Sequence, residues 1–429
     1  MKRIEPTLAS GFRDYLPEEM IAKQKMLDTI RDVFERFGFA PLETPIIEKE
    51  EILTGGDPDF NKQIFKIASN KKSDEETESG LAMRFDLTVP LARVVASNPE
   101  IGRPFKRYQI GKVFRAEHAQ MGRYREFTQC DADIVGSDSP MSDAEAIALI
   151  YSAISSLGVK NFKIKVNDRN LLNESFAKIG IRNEQLKDVF RAIDKIDKGW
   201  AVAKEELKKA GCGEEIIEEI KILTTREEPN DFLKGVMESA YALGVPKGSL
   251  KFDISIARGL EYYTGTVFET YLDDMPEIGS VCSGGRYDGL VERFSKDKVP
   301  AVGMSIGVDR LFAALEKLNL IKKELTTADV LILNFEESAG TKIQKIASEL
   351  RQNNINTEIY LGRENMLKGQ LAYGVKKEYP IVLIIGAKEL ADKTIQVKNM
   401  KKRTIDNVTE DNILQTVESI LNEQRQTAD

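Results

Sequence analysis

The sequence predicts an α+β domain that is interrupted by a helical insertion and followed by a separate α/β domain. Three observations support this expectation. Strand and helix patterns are mixed over residues 1–325, residues 170–245 contain amphipathic helical stretches without a strand pattern, and residues 328–429 alternate strand and helix patterns. A chain of 429 residues is long enough for two or three such domains.

The α+β domain begins with a helix predicted over residues 18–37, where apolar side chains recur at helical spacing and Gly38 follows. The segment FAPLETPIIE alternates apolar residues and contains two prolines, which favours one edge or interface strand. Residues 68–80 are polar and predict a surface loop. LAMRFDLTVPLARVVASNP predicts a strand and then a helix begun by proline.

A strand hairpin is predicted next, because FKRYQIGKVFRAEH and EFTQCDADIVG both have strand patterns and flank the short segment AQMGRYR. A helix follows over residues 141–157, with Ser142 and Glu145 as the predicted capping pair. Four amphipathic stretches make up the insertion. Strand patterns then resume, AVGMSIGVDRLFAALEKL predicts a strand followed by a helix, and IKKELTTA predicts a linker.

Composition narrows the classes of function. Lys and Arg total 62 against 69 Asp and Glu, so the net charge of −7 excludes an overall basic surface but allows a local basic patch. Three separated cysteines without a CxxC pair argue against a zinc site and a disulfide framework. A single histidine, His118, excludes His-rich metal sites. No apolar run of about 18 residues occurs and the start does not resemble a secretory signal, so we expect no membrane span and a cytoplasmic protein.

Four segments carry the strongest chemical signal: RFDLTVP, FRAEHAQMGRYREFTQCDADIVG, ARGLEYYTGTVFE and VGMSIGVDRL. Guanidinium groups match phosphate and carboxylate oxygens bidentately, so converging arginines from these segments can hold a triphosphate. Nearby acidic residues can hold a divalent ion, an exocyclic amine or an α-ammonium group. The sequence has no GxxxxGK[ST] motif, so any ATP site is not a P-loop. The arginines are Arg115, Arg123, Arg258 and Arg310, and the acidic residues are Asp86, Glu117 and Asp133.

These segments resemble class II aminoacyl-tRNA synthetases and, within that class, the histidyl-tRNA synthetase family, from about Gly11 to beyond Val397. FGFAPLETP, ending at Pro45, resembles the first class II motif, FRAEHAQMGRYREF the second and VGMSIGVDRL the third. ARGLEYYTGTVFE and SGGRYDGL resemble the two segments that are specific to the histidine family. The first motif forms a dimer interface in the class, so the resemblance implies a homodimer through the segment around Pro45.

The resemblance further implies a six- or seven-stranded antiparallel sheet that holds ATP, Mg²⁺ and histidine, and a histidine–tRNA ligase reaction with tRNA(His). The substrate carboxylate is itself the nucleophile, so this reaction needs positioning and charge neutralisation rather than a catalytic histidine. Catalysis is implied for Arg115 and Arg258, and ATP binding for Arg115, Glu117 (also a candidate metal ligand), Arg123, Phe127 and Arg310. Histidine binding is implied for Asp86, Thr88, Gln129, Asp133, Arg258, Tyr262 and Tyr263.

Some assignments stay open at this point. Asp133 can instead pair with a neighbouring arginine. Tyr262 and Tyr263 are adjacent, so on a strand they face opposite ways, and we favour Tyr263 for the pocket. Glu261 stands where the family signature usually has Asp, and Asp86 and Asp133 stand where many members carry Glu.

The C-terminal domain resembles the family's anticodon-binding domain, and the insertion is implied to clamp the acceptor arm of the tRNA. A local basic cluster in the tail can contact phosphates even though the domain is near neutral. The candidate tRNA contacts are Gln120, Lys398, Lys401, Lys402 and Arg403.

Three alternatives compete with the enzyme. One is a non-catalytic regulatory paralogue of the kind that associates with ATP phosphoribosyltransferase, and another is a sensor that binds uncharged tRNA. Such relatives tend to lose the motif arginines, and the regulatory paralogues usually lack the C-terminal domain; both features stand in this sequence. The third is a threonyl, prolyl or glycyl enzyme of the same class, against which ARGLEYYTG argues.

Overall fold

A computed structural model describes residues 3–55, 64–68, 78–116, 124–196, 199–226, 228–256 and 262–426. Several sequence predictions fall outside these ranges: the loop over residues 69–77, most of AQMGRYR, and the site candidates Glu117, Gln120, Arg123 and Arg258. The described residues form two compact units. One contains residues 1–14 and 26–321, and the other contains residues 15–25 and 322–429. The domain bounds inferred from sequence stay predictions.

The strands are β1 (Ala40–Pro41), β2 (Ile47–Lys49), β3 (Phe65–Ala68), β4 (Glu78–Met83), β5 (Phe105–Phe114), β6 (Glu126–Val135), β7 (Phe162–Asp168), β8 (Leu250–Phe252), β9 (Thr266–Leu272), β10 (Cys282–Arg286), β11 (Ala301–Gly307), β12 (Val330–Ile332), β13 (Thr357–Ile359), β14 (Ile381–Ile384), β15 (Thr394–Asn399) and β16 (Thr404–Thr409).

The helices are α1 (Pro17–Arg36), α2 (Glu50–Thr54), α3 (Thr88–Ser97), α4 (Pro140–Ser156), α5 (Arg169–Lys178), α6 (Asn183–Ile193), α7 (Trp200–Lys209), α8 (Glu214–Leu223), α9 (Asp231–Ala242), α10 (Val308–Lys317), α11 (Gly340–Gln352), α12 (Leu367–Lys376), α13 (Ala387–Asp392) and α14 (Ile413–Gln426). None of the described helices is both long and apolar enough to cross a membrane.

The first unit is built on an eight-stranded sheet in the order β1-β5-β6-β11-β10-β9-β7-β8. The six central strands run antiparallel to their neighbours, whereas β1 pairs parallel with β5 and β8 pairs parallel with β7. The prediction of an α+β domain on an antiparallel sheet is confirmed, and two short parallel edge strands extend the sheet beyond the six or seven strands expected. A smaller sheet, β2-β4-β3, lies in the same unit.

Two local predictions in this unit are wrong. FAPLETPIIE lies at sheet edges as predicted, since β1 and β2 are each the edge strand of a sheet, but it is not a single strand, because the segment around Thr44 and Pro45 separates the two. The capping pair of α4 is also misplaced. The helix starts at Pro140, whose fixed φ suits the first helical position, and Ser139 is the N-cap, accepting a hydrogen bond from the Met141 amide. Ser142 and Glu145 therefore lie inside the helix.

The insertion consists of five helices, α5 to α9, among the described residues. Four were predicted, and α9 was missed. Its N-cap Asn230 accepts a hydrogen bond from the Leu233 amide, and the helix buries Leu233, Val236 and Ala240 at helical spacing. The signal was therefore present in DFLKGVMESAYA, although Gly235 within it lowers helix propensity.

The second unit contains a five-stranded sheet in the order β13-β12-β14-β15-β16. Strands β12, β13 and β14 are parallel, whereas β15 and β16 form an antiparallel extension. Helices α11 and α14 supply apolar side chains, such as Ile346 and Val417, to a continuous core with β14 and β15. The predicted α/β domain is confirmed. Strand β16 and the short helix α13 were not predicted, and every residue of β16 except Val408 is exposed, so no apolar alternation marks it.

Candidate active site

The candidate site lies on one face of the eight-stranded sheet, where polar side chains take the place of an apolar core. Successive residues of a strand point to opposite faces, so Gln129, Asp131 and Asp133 of β6 share this face. Register places Asp133 between Arg107 of β5 and Gly303 of β11. On the opposite face the same strands present Cys130, Ala132 and Ile306, all of which are buried.

Asp133 is held by two buried partners. Its Oδ2 atom lies 2.7 Å from Arg107 Nη2, and the hydroxyl of Tyr287 donates to Oδ1. Burial raises the pKa of Asp133, while Arg107 and Tyr287 act in the opposite direction. A Cβ atom at Gly303 would lie 1.8 Å from Asp133 Oδ1, so only glycine lets this carboxyl group lie across β11. The arginine pairing left open by the sequence is present, and binding of histidine by Asp133 stays a prediction.

Asp131 is a buried carboxyl group that sequence reasoning missed. It is 2% exposed, and its Oδ1 atom has no hydrogen-bond partner within the described ranges. Burial raises its pKa to about 7; Arg107 and a hydrogen bond with Ser305 lower it, and the charges of Asp133 and Asp86 raise it. The spacing of two from Gln129 and Asp133 along a predicted strand was the signal that could have identified it.

Asp86 lies just before α3, whose first turn it caps through a hydrogen bond from the Val89 amide at 3.2 Å. Its other oxygen, Oδ2, lies 3.5 Å from the hydroxyl of Tyr262. Burial raises the pKa of Asp86 to about 6, against the favourable charges of Arg115 and Arg107. Thr88, the first residue of α3, is also buried.

The two adjacent tyrosines do not face opposite ways, so that prediction is wrong. Residues 262–265 precede β9 and are not in a strand, and the rings of Tyr262 and Tyr263 meet edge to face at 5.2 Å between centroids. Tyr263 lies over Gly285 of β10, where a Cβ atom would come within 2.9 Å of its ring. Burial first, and then the charges of Asp131, Asp133 and Asp86, raise the pKa of Tyr263.

The candidate ATP residues lie partly at the open end of the β5–β6 hairpin. The Arg115 guanidinium lies 4.9 Å from the centroid of the Phe127 ring and donates to the Phe85 carbonyl at 3.3 Å. Arg310, in the first turn of α10, donates to the carbonyl oxygen of Ser280 at 2.5 Å. Arg115 also interacts with Asp86, which links this part of the site to the buried acidic residues.

The basic cluster of the second unit surrounds the turn between β15 and β16. The buried Asn399 side chain accepts hydrogen bonds from the Lys401 and Lys402 amides, both at 3.1 Å. Lys398 lies within β15, and the ammonium group of Lys402 pairs with Glu423. Arg403 has a φ of 58°, the left-handed conformation that closes the hairpin. Contact of this cluster with tRNA stays a prediction.

An antiparallel sheet that presents buried carboxyl groups on one face, with the Arg115 hairpin near its edge and a strand–helix unit that carries Arg310 in the first turn of its helix, is the architecture of a class II aminoacyl-tRNA synthetase. A family model described as histidyl-tRNA synthetase matches residues 11–311, and one described as an anticodon binding domain matches residues 329–420. The chain therefore belongs to the histidyl-tRNA synthetase family, as the motifs had indicated.

Curated relatives agree with this assignment. A histidine–tRNA ligase of Wolinella succinogenes is 43% identical over 425 residues, covering 93% of this chain and 94% of the relative. One of Clostridium tetani is 42% identical over 426 residues with the same coverage. The crystal structure of histidyl-tRNA synthetase from Nostoc sp. PCC 7120 superposes with a TM-score of 0.83 at 32% identity, covering 98% of this chain and 100% of the other.

Proposed function

We propose that this chain is a histidine–tRNA ligase, which activates histidine with ATP and transfers it to the 3′ end of tRNA(His). The observation that carries the proposal is a group of three buried carboxyl groups: Asp131 and Asp133 on the polar sheet face, and Asp86 just before α3. Burial raises the pKa of each of them, so the site disfavours further negative charge and favours ligands with positive or N–H groups.

Histidine offers such groups at both ends of the molecule: the α-ammonium group at one end and the imidazole ring at the other. Its α-ammonium group suits the region of Asp86, Thr88 and Gln129. The side-chain amide oxygen of Gln129, Oε1, has no hydrogen-bond partner in the described part of the chain. Its imidazole ring has two nitrogens that need partners, for which the carboxyl group of Asp133 and the hydroxyl of Tyr263 are suited. A site of this kind rejects apolar isosteres strongly, because they leave its polar groups unpaired.

ATP binds beside this pocket at the β5–β6 hairpin. The half-buried Phe127 ring offers a stacking surface for adenine, and Arg115 neutralises charge at the α-phosphate. Arg310, Arg123 and Glu117 contact the rest of the nucleotide, and Arg258 contacts the α-phosphate and the carboxylate of histidine. Arg115 and Arg258 are thereby the catalytic residues.

Mg²⁺ enters with ATP as part of the substrate. The described residues contain no group of three or more His, Cys, Asp or Glu side chains that could enclose a metal ion. Mg²⁺ in nucleotide sites is usually bound by substrate phosphates and one or two carboxylates, and Glu117 is the candidate protein ligand.

The reaction follows from this placement. A carboxylate oxygen of histidine attacks the α-phosphorus, a new C–O–P bond forms, and the bond to the β-phosphate breaks to release pyrophosphate. A ribose hydroxyl at the end of the tRNA then attacks the carbonyl carbon and loses its proton, the bond between that carbon and the phosphate oxygen breaks, and AMP leaves. The protein lowers the barrier by in-line positioning and by arginine neutralisation of the developing charge.

The partners follow from the same assignment. The second unit contacts the anticodon arm, with Lys398, Lys401, Lys402 and Arg403 as candidate phosphate contacts and Gln120 as a candidate contact in the catalytic unit. The protein acts in the cytoplasm as a homodimer through the segment around Pro45. In support, Ile46, Ile47 and Leu81 are exposed large apolar side chains near this segment, and Ile47 and Leu81 share one face of the small sheet.

ATP–pyrophosphate exchange with each of the twenty amino acids tests the proposal. Exchange with histidine alone supports it. If the folded protein supports exchange with none of them, the ligase function is refuted and the alternative of a non-catalytic regulatory paralogue is favoured. No feature of the described site favours that alternative. Exchange with threonine, proline or glycine would refute the histidine assignment.

A further inference from the structure

We propose that the N-terminal segment Gly11–Arg13 holds the end of the β5–β6 hairpin in place, and that Arg13 is thereby a positioning residue for ATP. The inference rests on the proposed function, because it adds a residue to the nucleotide side of that reaction. It does not concern the choice of amino acid.

The end of the β5–β6 hairpin lies beyond the support of the neighbouring strands. Among the described residues, β11 pairs with β6 as far as Gln129, whereas β5 and β6 pair with each other as far as Phe114 and Glu126. On the β5 side, the Phe114 amide also donates to the Arg84 carbonyl at 2.9 Å. A two-stranded ribbon is at best marginally stable in water, so the β6 side needs a partner of its own.

Gly11 is that partner through its backbone. The Arg125 carbonyl accepts a hydrogen bond from the Arg115 amide, and the Arg125 amide donates to the Gly11 carbonyl, both at 2.8 Å. Gly11 lies in a turn closed by a hydrogen bond from the Phe12 amide to the Ala9 carbonyl, with a φ of 86° that favours glycine. A Cβ atom at Gly11 would also lie 2.5 Å from Arg125 Cγ. Both the conformation and the close approach therefore require glycine.

The side chains of the segment add a second set of contacts. Arg13 Nη1 donates to the hydroxyl of Tyr124 at 3.1 Å, and its guanidinium lies 5.5 Å from the centroid of the Tyr124 ring. The rings of Phe12 and Phe65 lie 6.1 Å apart between centroids, and the Arg125 guanidinium lies 4.5 Å from the same Phe65 ring. The two residues that lead into β6 are thus held by the segment and by β3.

These contacts act on the ATP side of the site. Phe127 follows Arg125 by two residues, and its ring lies 4.9 Å from the Arg115 guanidinium. Stacking of adenine and neutralisation of the α-phosphate need this pair in a fixed arrangement. Gln129 and Asp133, in contrast, lie in the part of β6 that β11 supports. Loosening the hairpin end should therefore weaken the use of ATP and leave the use of histidine nearly unchanged.

The test uses the full-length chain and ATP–pyrophosphate exchange, with ATP varied at saturating histidine and histidine varied at saturating ATP. Arg13→Met should raise the KM for ATP at least about fivefold, since small displacements of positioned groups can cost up to about 100-fold. The KM for histidine should change less than about twofold. Arg13→Lys retains a donor and should recover most of the loss. Tyr124→Phe should act in the same direction, and adding it to Arg13→Met should cause no further loss, because both changes break one contact.

Gly11→Ala and Gly38→Ala form a matched pair in the same unit. Gly38 has a similar φ of 77°, but its Cβ atom would meet no described atom within 4 Å. Both variants should lower the unfolding temperature through backbone strain, whereas only Gly11→Ala should raise the KM for ATP. This pair separates a loss of stability from a displaced hairpin.

The inference is overturned if folded Arg13→Met keeps the KM for ATP of the wild type, or if the KM values for ATP and histidine rise together. If Arg13→Met does not fold, Tyr124→Phe decides by the same criteria, because it removes a single hydroxyl group. A wild-type protein that supports no exchange overturns the proposed function and this inference with it, and this outcome is recognised before any variant is made.

Discussion

Replacing Asp131 by Asn should make the stability of the catalytic unit less dependent on pH. The folded protein holds this carboxyl group with a pKa of about 7, against an ordinary value of 3.8. A raised pKa means that the folded state binds the proton more tightly than the unfolded state, so folding loses stability as pH rises from about 4 to about 7. At 1.36 kcal/mol for each pKa unit, the loss is about 4 kcal/mol above pH 7.

Asn has the same shape and does not titrate in this range, so the variant lacks the pH-dependent loss. The free energy of unfolding of Asp131→Asn minus that of the wild type should therefore increase by up to about 4 kcal/mol between pH 4 and pH 7 and then stay level. Any constant cost of burying the amide shifts the whole curve and leaves its slope unchanged. Asp86→Asn should show a smaller rise, about 3 kcal/mol, that is complete near pH 6 because the pKa of Asp86 is about 6.

Urea unfolding followed by tryptophan fluorescence is suited to this measurement. The single tryptophan, Trp200, lies in the first unit, so the signal reports on the unit that contains Asp131. Asp138→Asn is the control, since Asp138 is exposed and surface substitutions usually change stability by less than about 0.5 kcal/mol. A stability difference for Asp131→Asn that does not vary between pH 4 and pH 7 would refute the reasoning.

Three further predictions concern the surroundings of the site. Gly303→Ala should destabilise the protein by at least about 2 kcal/mol in the same urea experiment, because the added Cβ atom would overlap Asp133. Gly307→Ala on the same strand is the control: its Cβ atom would meet nothing closer than 3.7 Å, so it should destabilise the protein clearly less. Arg84→Met should cost about 2–4 kcal/mol in that experiment, since the buried Arg84 donates to two backbone carbonyls at 2.6 and 2.8 Å, and an unchanged midpoint would contradict this. Ile47→Asp should shift the mass measured by light scattering from dimer to monomer while the protein stays folded, and a variant that stays dimeric would count against the proposed interface.

The broad fold was accessible from sequence because periodicity is a local signal. The β5–β6 hairpin, α1 and the alternating tail each bury a regular face, and such patterns are visible without knowing the partner. The predictions that failed concerned where elements begin and end, which single residues and distant contacts decide rather than periodicity. The start of α4 was set by Pro140 at the first helical position, and the break between β1 and β2 lies at the turn that Arg84 holds from a distant part of the chain.

The site was only partly accessible for a related reason. Motif resemblance pointed to Asp86, Gln129 and Asp133, and all three lie buried near one another. It did not point to Asp131, which lies between Gln129 and Asp133 on the same strand face. It also could not show that Asp133 pairs with Arg107, which lies beside it on β5 but is separated from it by 26 positions in the chain.

Burying the carboxyl groups of Asp86 and Asp131 opposes folding. The burial that causes this cost also makes the site suitable for a substrate with N–H donors. In the free protein the raised pKa values of Asp86 and Asp131 mean that their ionised forms are poorly compensated at neutral pH. A ligand that brings an ammonium group and a ring N–H supplies the missing partners, so part of its binding energy comes from relieving a cost already present. Histidine should therefore stabilise the catalytic unit more at pH 8 than at pH 5, beyond the effect of its own protonation, and this excess should be smaller in Asp131→Asn.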